Sequence, residues 1–171
     1  MSRGILVIVS GFSGAGKGTV MKRFLDKYKN YALSISVTTR APRENEVDGR
    51  DYFFRSREEF EKLIEEDALL EYAEYSNNYY GTPRSYVEQH LREGKDVVLE
   101  IEMQGAMKVK KKIPEALMIF ITPPSVEELI RRLQNRGTET KEQIVDRMMT
   151  ARNESCHVQE YDYLLVNDNL E

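Results

Sequence analysis

A short stretch near the start of the chain, residues 10–19, constrains the fold more than any other part. Its sequence is Ser-Gly-Phe-Ser-Gly-Ala-Gly-Lys-Gly-Thr, and it follows the apolar run 5–9, which predicts a strand. A run with helical periodicity follows it. The three glycines before the lysine let successive backbone N–H groups turn inward, and the helix presents its positive dipole end at the same point. The order of strand, glycine loop and helix predicts a phosphate-binding loop in an α/β fold.

Lys17 supplies a mobile positive charge for the outer phosphates of a nucleotide, which is the part that lysine plays in a P-loop. The next residue is Gly18 rather than the serine or threonine of the strict pattern, so the hydroxyl that often binds Mg²⁺ is shifted to Thr19 or missing. The alternative interpretation is a glycine-rich turn that is required by sterics alone. The preceding strand and the following helix favour the phosphate loop.

Length and charge limit the partners that the chain can have. Its 171 residues suit one compact domain with a sizeable core. With 25 basic against 29 acidic residues and a net charge of -4, we expect no general attraction to nucleic acid or to an anionic membrane. Met1 leads straight into a core strand without a signal-peptide pattern, and the single cysteine agrees with a reducing compartment. We therefore expect a cytoplasmic protein without an obligate protein partner.

Further along, apolar strands alternate with amphipathic helices, which predicts a central parallel sheet covered on both faces. The pattern is interrupted between about 34 and 85. One strand is predicted over 32–37, then an arginine-rich loop, a short strand, a helix that begins after Ser56, and two more strands. This portion is interpreted as an inserted, β-rich subdomain. The alternation resumes at residue 86, with buried strands predicted over 96–102 and 117–121.

Two further groups of residues indicate a site at the carboxyl ends of the strands, where open parallel sheets bind ligands. Glu100 and Glu102 end one buried strand, and their spacing puts both carboxylates on one side of it. A structural network is one interpretation, but beside a P-loop we favour Mg²⁺ positioning or contact with a base edge. Arg40 and Arg43 flank Pro42, and their forked donors match the oxygens of a phosphate monoester.

These residues together resemble guanylate kinases, and the resemblance runs from end to end of the chain. The matching blocks are 11–19, 36–43, 49–54, 78–82, 102–105 and 136–139. The resemblance implies an enzyme of purine nucleotide metabolism that transfers the γ-phosphoryl group of ATP to GMP, giving ADP and GDP, with Mg²⁺. It also implies a three-layer P-loop fold with a core over 1–33, 86–124 and 158–171, a GMP-binding subdomain over 34–85 and a mobile helical lid over 125–157.

The family pattern assigns roles to individual positions of this sequence. The GMP phosphate is expected to contact Arg40, Arg43, Tyr52 and Tyr80, and the guanine Ser36, Glu71, Thr82 and Glu102. ATP is expected to contact Gly11, Phe12, Ser13, Gly14, Ala15, Gly16, Lys17, Gly18, Thr19 and Asn167. The expected catalytic residues are Lys17, Arg43, Arg132, Arg136 and Arg147. Mg²⁺ is expected to be held mainly by the ATP phosphates and water, with Thr19 and Glu100 as candidate protein ligands.

The sequence departs from the family pattern at several places. Phe12 stands where the family usually has proline, Glu102 where aspartate is common, and Thr82 where serine is frequent. The family usually continues beyond the equivalent of residue 171 into another helix. Two alternatives stay open: a related non-enzymatic module that binds phosphorylated peptides, and a kinase for AMP or a sugar phosphate. The pair of Glu71 and Glu102 argues against AMP, because the N1 of adenine is an acceptor and would face a carboxylate.

Overall fold

The structure, a computed structural model, describes residues 3–75, 77–135, 137 and 140–169. Within these residues the chain forms nine strands, six α-helices and one short 3₁₀ helix at Val158–Glu160. The strands are β1 Leu6–Gly11, β2 Tyr31–Leu33, β3 Val37–Thr38, β4 Phe53–Phe54, β5 Leu69–Tyr75, β6 Asn78–Pro83, β7 Asp96–Glu100, β8 Leu117–Thr122 and β9 Tyr163–Val166. The helices are α1 Lys17–Lys27, α2 Arg57–Glu65, α3 Arg84–Arg92, α4 Met103–Lys112, α5 Val126–Asn135 and α6 Lys141–Ser155.

Five strands form the main sheet, in the order β2-β7-β1-β8-β9. All four pairings are parallel, which confirms the predicted central parallel sheet. The sheet is covered on both faces: α3 and α4 pack on one face around Ile8 and Phe120, and α1 packs on the other through Met21. Because β1 lies in the middle, the glycine loop that follows it is held by neighbours on both sides. Within the described residues, each helix is too short or too polar to cross a membrane.

Four strands form a second, smaller sheet in the order β4-β3-β6-β5. Helix α2 closes it through Phe60, which is fully buried beside Val37 and Leu69. The predicted start of this helix is confirmed, because Ser56 and Glu59 form a reciprocal capping box.

The single strand predicted over 32–37 is wrong. The segment is divided between β2, which pairs with β7, and β3, which pairs with β6 and β4. Between the two strands, the backbone N–H of Ser34 still donates to Val98 in the main sheet (2.9 Å). The chain therefore passes from one sheet to the other over a few residues, and a continuous apolar pattern does not show that change of partner. The strand predicted over 96–102 also ends earlier, at Glu100, because Glu102 is the N-cap of α4.

Candidate functional site

The glycine loop between β1 and α1 has the backbone conformation that a phosphate loop requires. Gly14 and Gly16 have φ angles of 95° and 88°, a region that favours glycine. A Cβ atom on Gly16 would lie 2.5 Å from Nδ2 of Asn167, so this position excludes a side chain for steric reasons as well. The first turn of α1 contains no acidic residue. The loop and the helix end together provide N–H donors and a positive dipole for an anion.

Two side chains from distant parts of the chain fix this loop from outside. Nδ2 of the buried Asn167 donates to the carbonyl oxygen of Ala15 (2.8 Å), and Arg132 Nη1 donates to the same oxygen (3.1 Å). Arg132 also donates to the carbonyl of Asn167 (2.8 Å) and to Glu128 (2.6 Å). Arg131 and Arg132 hold the pKa of Glu128 down to about 2, so this ion pair stays charged at neutral pH.

The loop opens onto a cavity of about 610 Å³. Lys17 lies in its wall and donates to the carbonyl oxygen of Gly11 (3.2 Å). Helix α6 forms the facing wall, and its Arg147 donates to the hydroxyl of Ser13 in the glycine loop. The lining residues are Gly11, Ser13, Lys17, Glu100, Ile101, Glu102, Gln143, Asp146, Arg147, Thr150 and Glu154. We call this space the phosphate cavity.

A second cavity of about 320 Å³ lies between the two sheets. It is lined by Ser36, Tyr52, Glu71, Ala73, Glu74, Tyr80, Gly81, Glu100, Ile101 and Glu102. Residues 100–102 line both spaces, so the two cavities meet at the carboxyl end of β7. We call this second space the acceptor cavity. Five of the predicted GMP-binding residues line it: Ser36, Tyr52, Glu71, Tyr80 and Glu102.

Glu71 is the most constrained acid in the acceptor cavity. It is 8% exposed, and Thr82 donates its hydroxyl hydrogen to Oε1 (2.7 Å). Burial raises the pKa of Glu71, while the hydrogen bond from Thr82 and the charge of Lys108 oppose this shift. Thr82 was predicted to contact guanine, but it is absent from the cavity lining and its hydroxyl hydrogen is committed to Glu71. Its position is therefore behind the carboxylate.

The arginine-rich loop places a cation beside two tyrosines of the acceptor cavity. The guanidinium carbon of Arg40 lies 5.4 Å from the centroid of the Tyr52 ring, whose centroid is 6.2 Å from that of Tyr80. Nη2 of Arg40 donates to both carboxylate oxygens of Glu46, each at 2.8 Å. Arg43, by contrast, is exposed, and its main chain holds Glu46: its N–H donates to Oε2 of Glu46 (2.8 Å), and its carbonyl oxygen accepts from the Glu46 N–H (3.0 Å).

The other residues that were expected to bind ATP or to take part in catalysis are not all found at the two cavities. Arg132 holds the glycine loop through backbone carbonyls and does not line either cavity. Arg136 lies outside the described residues. Phe12 packs its ring edge-on against Phe120, with 4.8 Å between the centroids, and joins the cores on both faces of the sheet to the cluster between α5 and α6. Thr19 is exposed at the start of α1.

The described residues offer few protein ligands for a metal ion. Among residues 3–75, 77–135, 137 and 140–169, no three acidic, histidine or cysteine side chains are grouped to hold an ion. Glu100 lies close to the start of α1, since a Cβ atom on Gly18 would be 4.0 Å from its Oε1. One or two carboxylates beside a phosphate site suit Mg²⁺, which usually keeps several waters and binds substrate phosphates.

The sequence prediction did not identify the face of α6 that lines the phosphate cavity. Gln143, Thr150 and Glu154 lie on it with Arg147 at spacings of three and four residues. That periodicity, taken from Arg147, is the signal that identifies them. The sequence analysis also did not predict that Gly105 packs against Glu71. A Cβ atom at Gly105 would lie 2.9 Å from Oε2 of Glu71. No local pattern reveals that contact.

A phosphate loop that opens towards a second cavity containing a buried acid is the arrangement expected of a P-loop kinase, which holds a phosphoryl donor and an acceptor side by side. Comparison with known proteins identifies the family within this class. The family model described as guanylate kinase matches residues 3–171. The chain belongs to the guanylate kinase family.

Individual relatives agree with this assignment. The chain is 53% identical to the guanylate kinase of Caldanaerobacter subterraneus over 99% of its own length and 82% of that protein. It is 55% identical to the guanylate kinase of Streptococcus thermophilus, over 98% of this chain and 81% of the relative. The crystal structure of guanylate kinase from Anaplasma phagocytophilum superposes with a TM-score of 0.75 at 37% identity, covering 99% of this chain and 80% of that one.

Proposed function

We propose that the chain transfers the γ-phosphoryl group of ATP to GMP, with GMP in the acceptor cavity and the ATP phosphates in the phosphate cavity. The observation that carries the choice of acceptor is the buried carboxylate of Glu71 in the wall of a cavity that meets the phosphate loop. Guanine presents two donors on one edge, N1–H and the exocyclic amine, and these need acceptors. The Oε1 atom of Glu71 is fixed by Thr82, which orients the carboxylate towards such an edge.

Glu102 supplies the second acidic wall of the acceptor cavity. Although it is the N-cap residue of α4, its side chain makes no capping hydrogen bond, so its oxygens remain available to a ligand. The hydroxyl of Ser36 lies in the same wall and suits the O6 acceptor of guanine.

The GMP phosphate is assigned to the group formed by Arg40, Tyr52 and Tyr80. A guanidinium and two phenol hydroxyls are donors that match phosphate oxygens. Glu46 keeps the Arg40 guanidinium in place through two hydrogen bonds of 2.8 Å. Arg43 joins this group by a side-chain movement from its exposed position on the same loop.

The donor phosphates are assigned to the glycine loop, Lys17 and Arg147. Positive charge placed on the spreading charge of the transferring group is the main catalytic device in phosphoryl transfer. Mg²⁺ would be held by the ATP phosphates and water with Glu100 or Thr19 nearby, and when bound it neutralises part of the phosphate charge. Arg132 and Arg136 belong with Arg147 to the segment 125–157, which is proposed to be a lid that closes over both nucleotides.

A coupled assay of ADP release tests this function. The purified chain is given ATP and Mg²⁺ with GMP, AMP, CMP or UMP in turn. We expect turnover with GMP to exceed turnover with each other acceptor by at least about a hundredfold, the scale that a hydrogen-bonding pocket provides. Equal turnover with AMP would refute the assignment of the acceptor. No turnover with any acceptor, together with binding of a phosphorylated peptide, would refute the enzyme and favour the binding module.

A further inference from the structure

Two lysines of helix α4 bind the main chain of strand β5, although both side chains are exposed. Nζ of Lys108 donates to the backbone carbonyl oxygen of Tyr72 (3.0 Å) and lies 5.6 Å from the centroid of the tyrosine ring. Nζ of Lys112 donates to the backbone carbonyl oxygen of Leu69 (3.1 Å) and pairs with Asp67 just before the strand (3.3 Å). A lysine that only solvates a helix keeps its ammonium in water. These two ammonium groups instead hold one strand at two points.

The place of β5 in the small sheet explains why it needs such contacts. It is the last strand in the order β4-β3-β6-β5, and within the described residues its strand partner is β6. Strand pairing satisfies the polar backbone groups along one edge of a strand, and the other edge needs other partners. Lys108 and Lys112 provide donors to β5 from the side of α4. The edge strand of the small sheet is thus fastened to a helix of the main core.

The same side of α4 carries Gly105, which packs against Glu71. Gly105, Lys108 and Lys112 are spaced by three and four residues, so they share one face of the helix. A Cβ atom on Gly105 would lie 2.9 Å from Oε2 of Glu71. Since Glu71 precedes Tyr72 on β5, the glycine and the lysines act on the same short part of the strand. The separation between α4 and β5 therefore determines where the carboxylate lies in the acceptor cavity.

We propose that Lys108 and Lys112 are positioning residues for the acceptor: their hydrogen bonds hold β5 against α4 and thereby keep Glu71 in place for a guanine edge. The inference rests on the proposed function, since it concerns the site assigned to GMP. Neither lysine lines either cavity, so both act through Glu71 and not by contact with a nucleotide. Electrostatics act in the same direction. Burial raises the pKa of Glu71, and the positive charges of Lys108 and Lys112 oppose this shift and favour the ionised acceptor.

Loss of these two contacts is expected to weaken GMP binding and to spare the chemical step. Without them β5 can move away from α4, and only a fraction of the free protein holds Glu71 in the binding position. The apparent affinity falls by that fraction, while the complex has the native geometry once it has formed. KM for GMP should therefore rise while kcat is preserved.

The test uses the full chain with the substitutions Lys108→Met, Lys112→Met and both together, which remove the ammonium and keep an unbranched side chain. Lys111→Met is the matched control, because it makes the same charge change at an exposed position of the same helix. For the double methionine variant we expect KM for GMP to rise about tenfold, with kcat and KM for ATP within about twofold of their native values. Each single variant should show a smaller rise, and the control should leave all three constants unchanged.

Replacement of both lysines by arginine tests whether a cationic donor is what these positions require. Lys108→Arg combined with Lys112→Arg keeps such a donor at both positions and should restore most of the affinity for GMP. An unchanged KM for GMP in the double methionine variant, an equal rise in KM for both nucleotides, or equal losses in the methionine and arginine pairs would overturn the inference. Lys108→Met alone gives the same decision if the double variant folds poorly.

A separate measurement distinguishes failure of the inference from failure of the proposed function. Absence of GMP kinase activity in the unsubstituted chain would refute the proposed function. Hydrogen exchange in the free protein then tests the two contacts directly, because a strand that opens more often exchanges its amides faster. The amides of β5 should exchange faster in the double methionine variant than in Lys111→Met. Equal exchange rates in these two variants would show that the lysines do not hold the strand.

Discussion

The hydroxyl of Thr82 donates to Oε1 of Glu71 over 2.7 Å and holds the carboxylate in a single orientation before any ligand binds. Oε2 of the same carboxylate lies against Gly105, where a Cβ atom would be only 2.9 Å away. The acid is thus fixed on two sides, by a hydrogen bond and by close packing. A buried acceptor that cannot turn away discriminates strongly between ligands that offer donors and ligands that offer acceptors.

The first prediction concerns the substitution Glu71→Gln. It keeps the size of the side chain but replaces one acceptor oxygen with a donor that faces the donors of guanine. We expect a cost of about 2 to 4 kcal/mol, or roughly 30- to 1000-fold in kcat/KM for GMP. Turnover with AMP should be affected less, because the ring nitrogen of adenine can accept from the new amide. Steady-state kinetics with both acceptors, with KM for ATP as internal control, measure this ratio.

Glu65→Gln is a suitable control for this prediction, because Glu65 is exposed at the end of α2 and outside both cavities. It should leave all constants unchanged. An equal loss for GMP and AMP in Glu71→Gln would show that Glu71 is a structural residue.

The second prediction is that Glu71→Gln stabilises the free protein at neutral pH. Burial raises the folded-state pKa of Glu71 above its ordinary value of 4.5. The folded form therefore binds the proton more tightly than the unfolded form, and this contribution is complete below pH 4.5 and lost as the pH rises through the folded pKa. At pH 7 a neutral glutamine avoids the loss, so we expect Tm to rise by about 1 to 3 °C. Calorimetry should show the difference shrinking towards pH 4.5; a difference independent of pH would contradict this account.

The third prediction concerns Gly105→Ala. The added methyl group would displace Oε2 of Glu71, so we expect KM for GMP to rise about tenfold with little change in KM for ATP. The substitution lies inside α4, where alanine favours a helix over glycine by about 1 kcal/mol. Thermal stability should therefore not fall in parallel. Lys111→Ala, on the exposed side of the same helix, is the control; unchanged GMP kinetics in Gly105→Ala would show that Glu71 moves without consequence.

The fourth prediction concerns Lys17→Ala. This change leaves the glycine loop and the start of α1 in place but removes the charge that follows the transferring group. We expect kcat to fall by on the order of a hundredfold or more, with a smaller effect on ATP binding. Lys22→Ala, which removes an exposed charge from the same helix, should be neutral. Turnover close to the native value in Lys17→Ala would mean that the loop is only structural.

The fifth prediction concerns closure of the lid. Arg147 and Arg132 contact the glycine loop but lie on helices separate from the acceptor cavity. If they act on both nucleotides as proposed, the lid has to move, and this movement would also exclude water. Small-angle scattering should show a smaller radius of gyration after addition of GMP with a non-hydrolysable ATP analogue. An identical profile at saturation of both sites would count against the lid.

The sequence predicted the regular elements well where local signals mark their ends. The sequence predicts a helix over 103–112 that ends because Pro114 follows, and α4 has these bounds. The start of α2 agrees because its cap is made within four residues. The sequence also predicts a last strand over 163–166, and β9 has these bounds because polar residues flank its apolar run. In each case the interactions that end the element lie near it in sequence.

The parts that the sequence missed depend on contacts between distant residues. The division of 32–37 between two sheets is set by β7 and β6, which occur later in the chain. Thr82 donates its hydroxyl hydrogen to Glu71 because β5 and β6 pair these two residues, which lie 11 positions apart in sequence. Arg132 contacts a carbonyl 117 positions away. Residue types and spacing indicate the chemistry of such side chains, but only the packed chain determines which partner each one contacts.

The wall that residues 100–102 form between the two cavities has a thermodynamic consequence for the pair of substrates. A ligand on either side that shifts Ile101 or Glu102 changes the shape of the other side, since both residues line both spaces. Binding of the two nucleotides is then linked, and linkage is reciprocal: the factor by which GMP changes the affinity for ATP equals the factor by which ATP changes the affinity for GMP. A substitution at the carboxyl end of β7 is therefore expected to change both sites together.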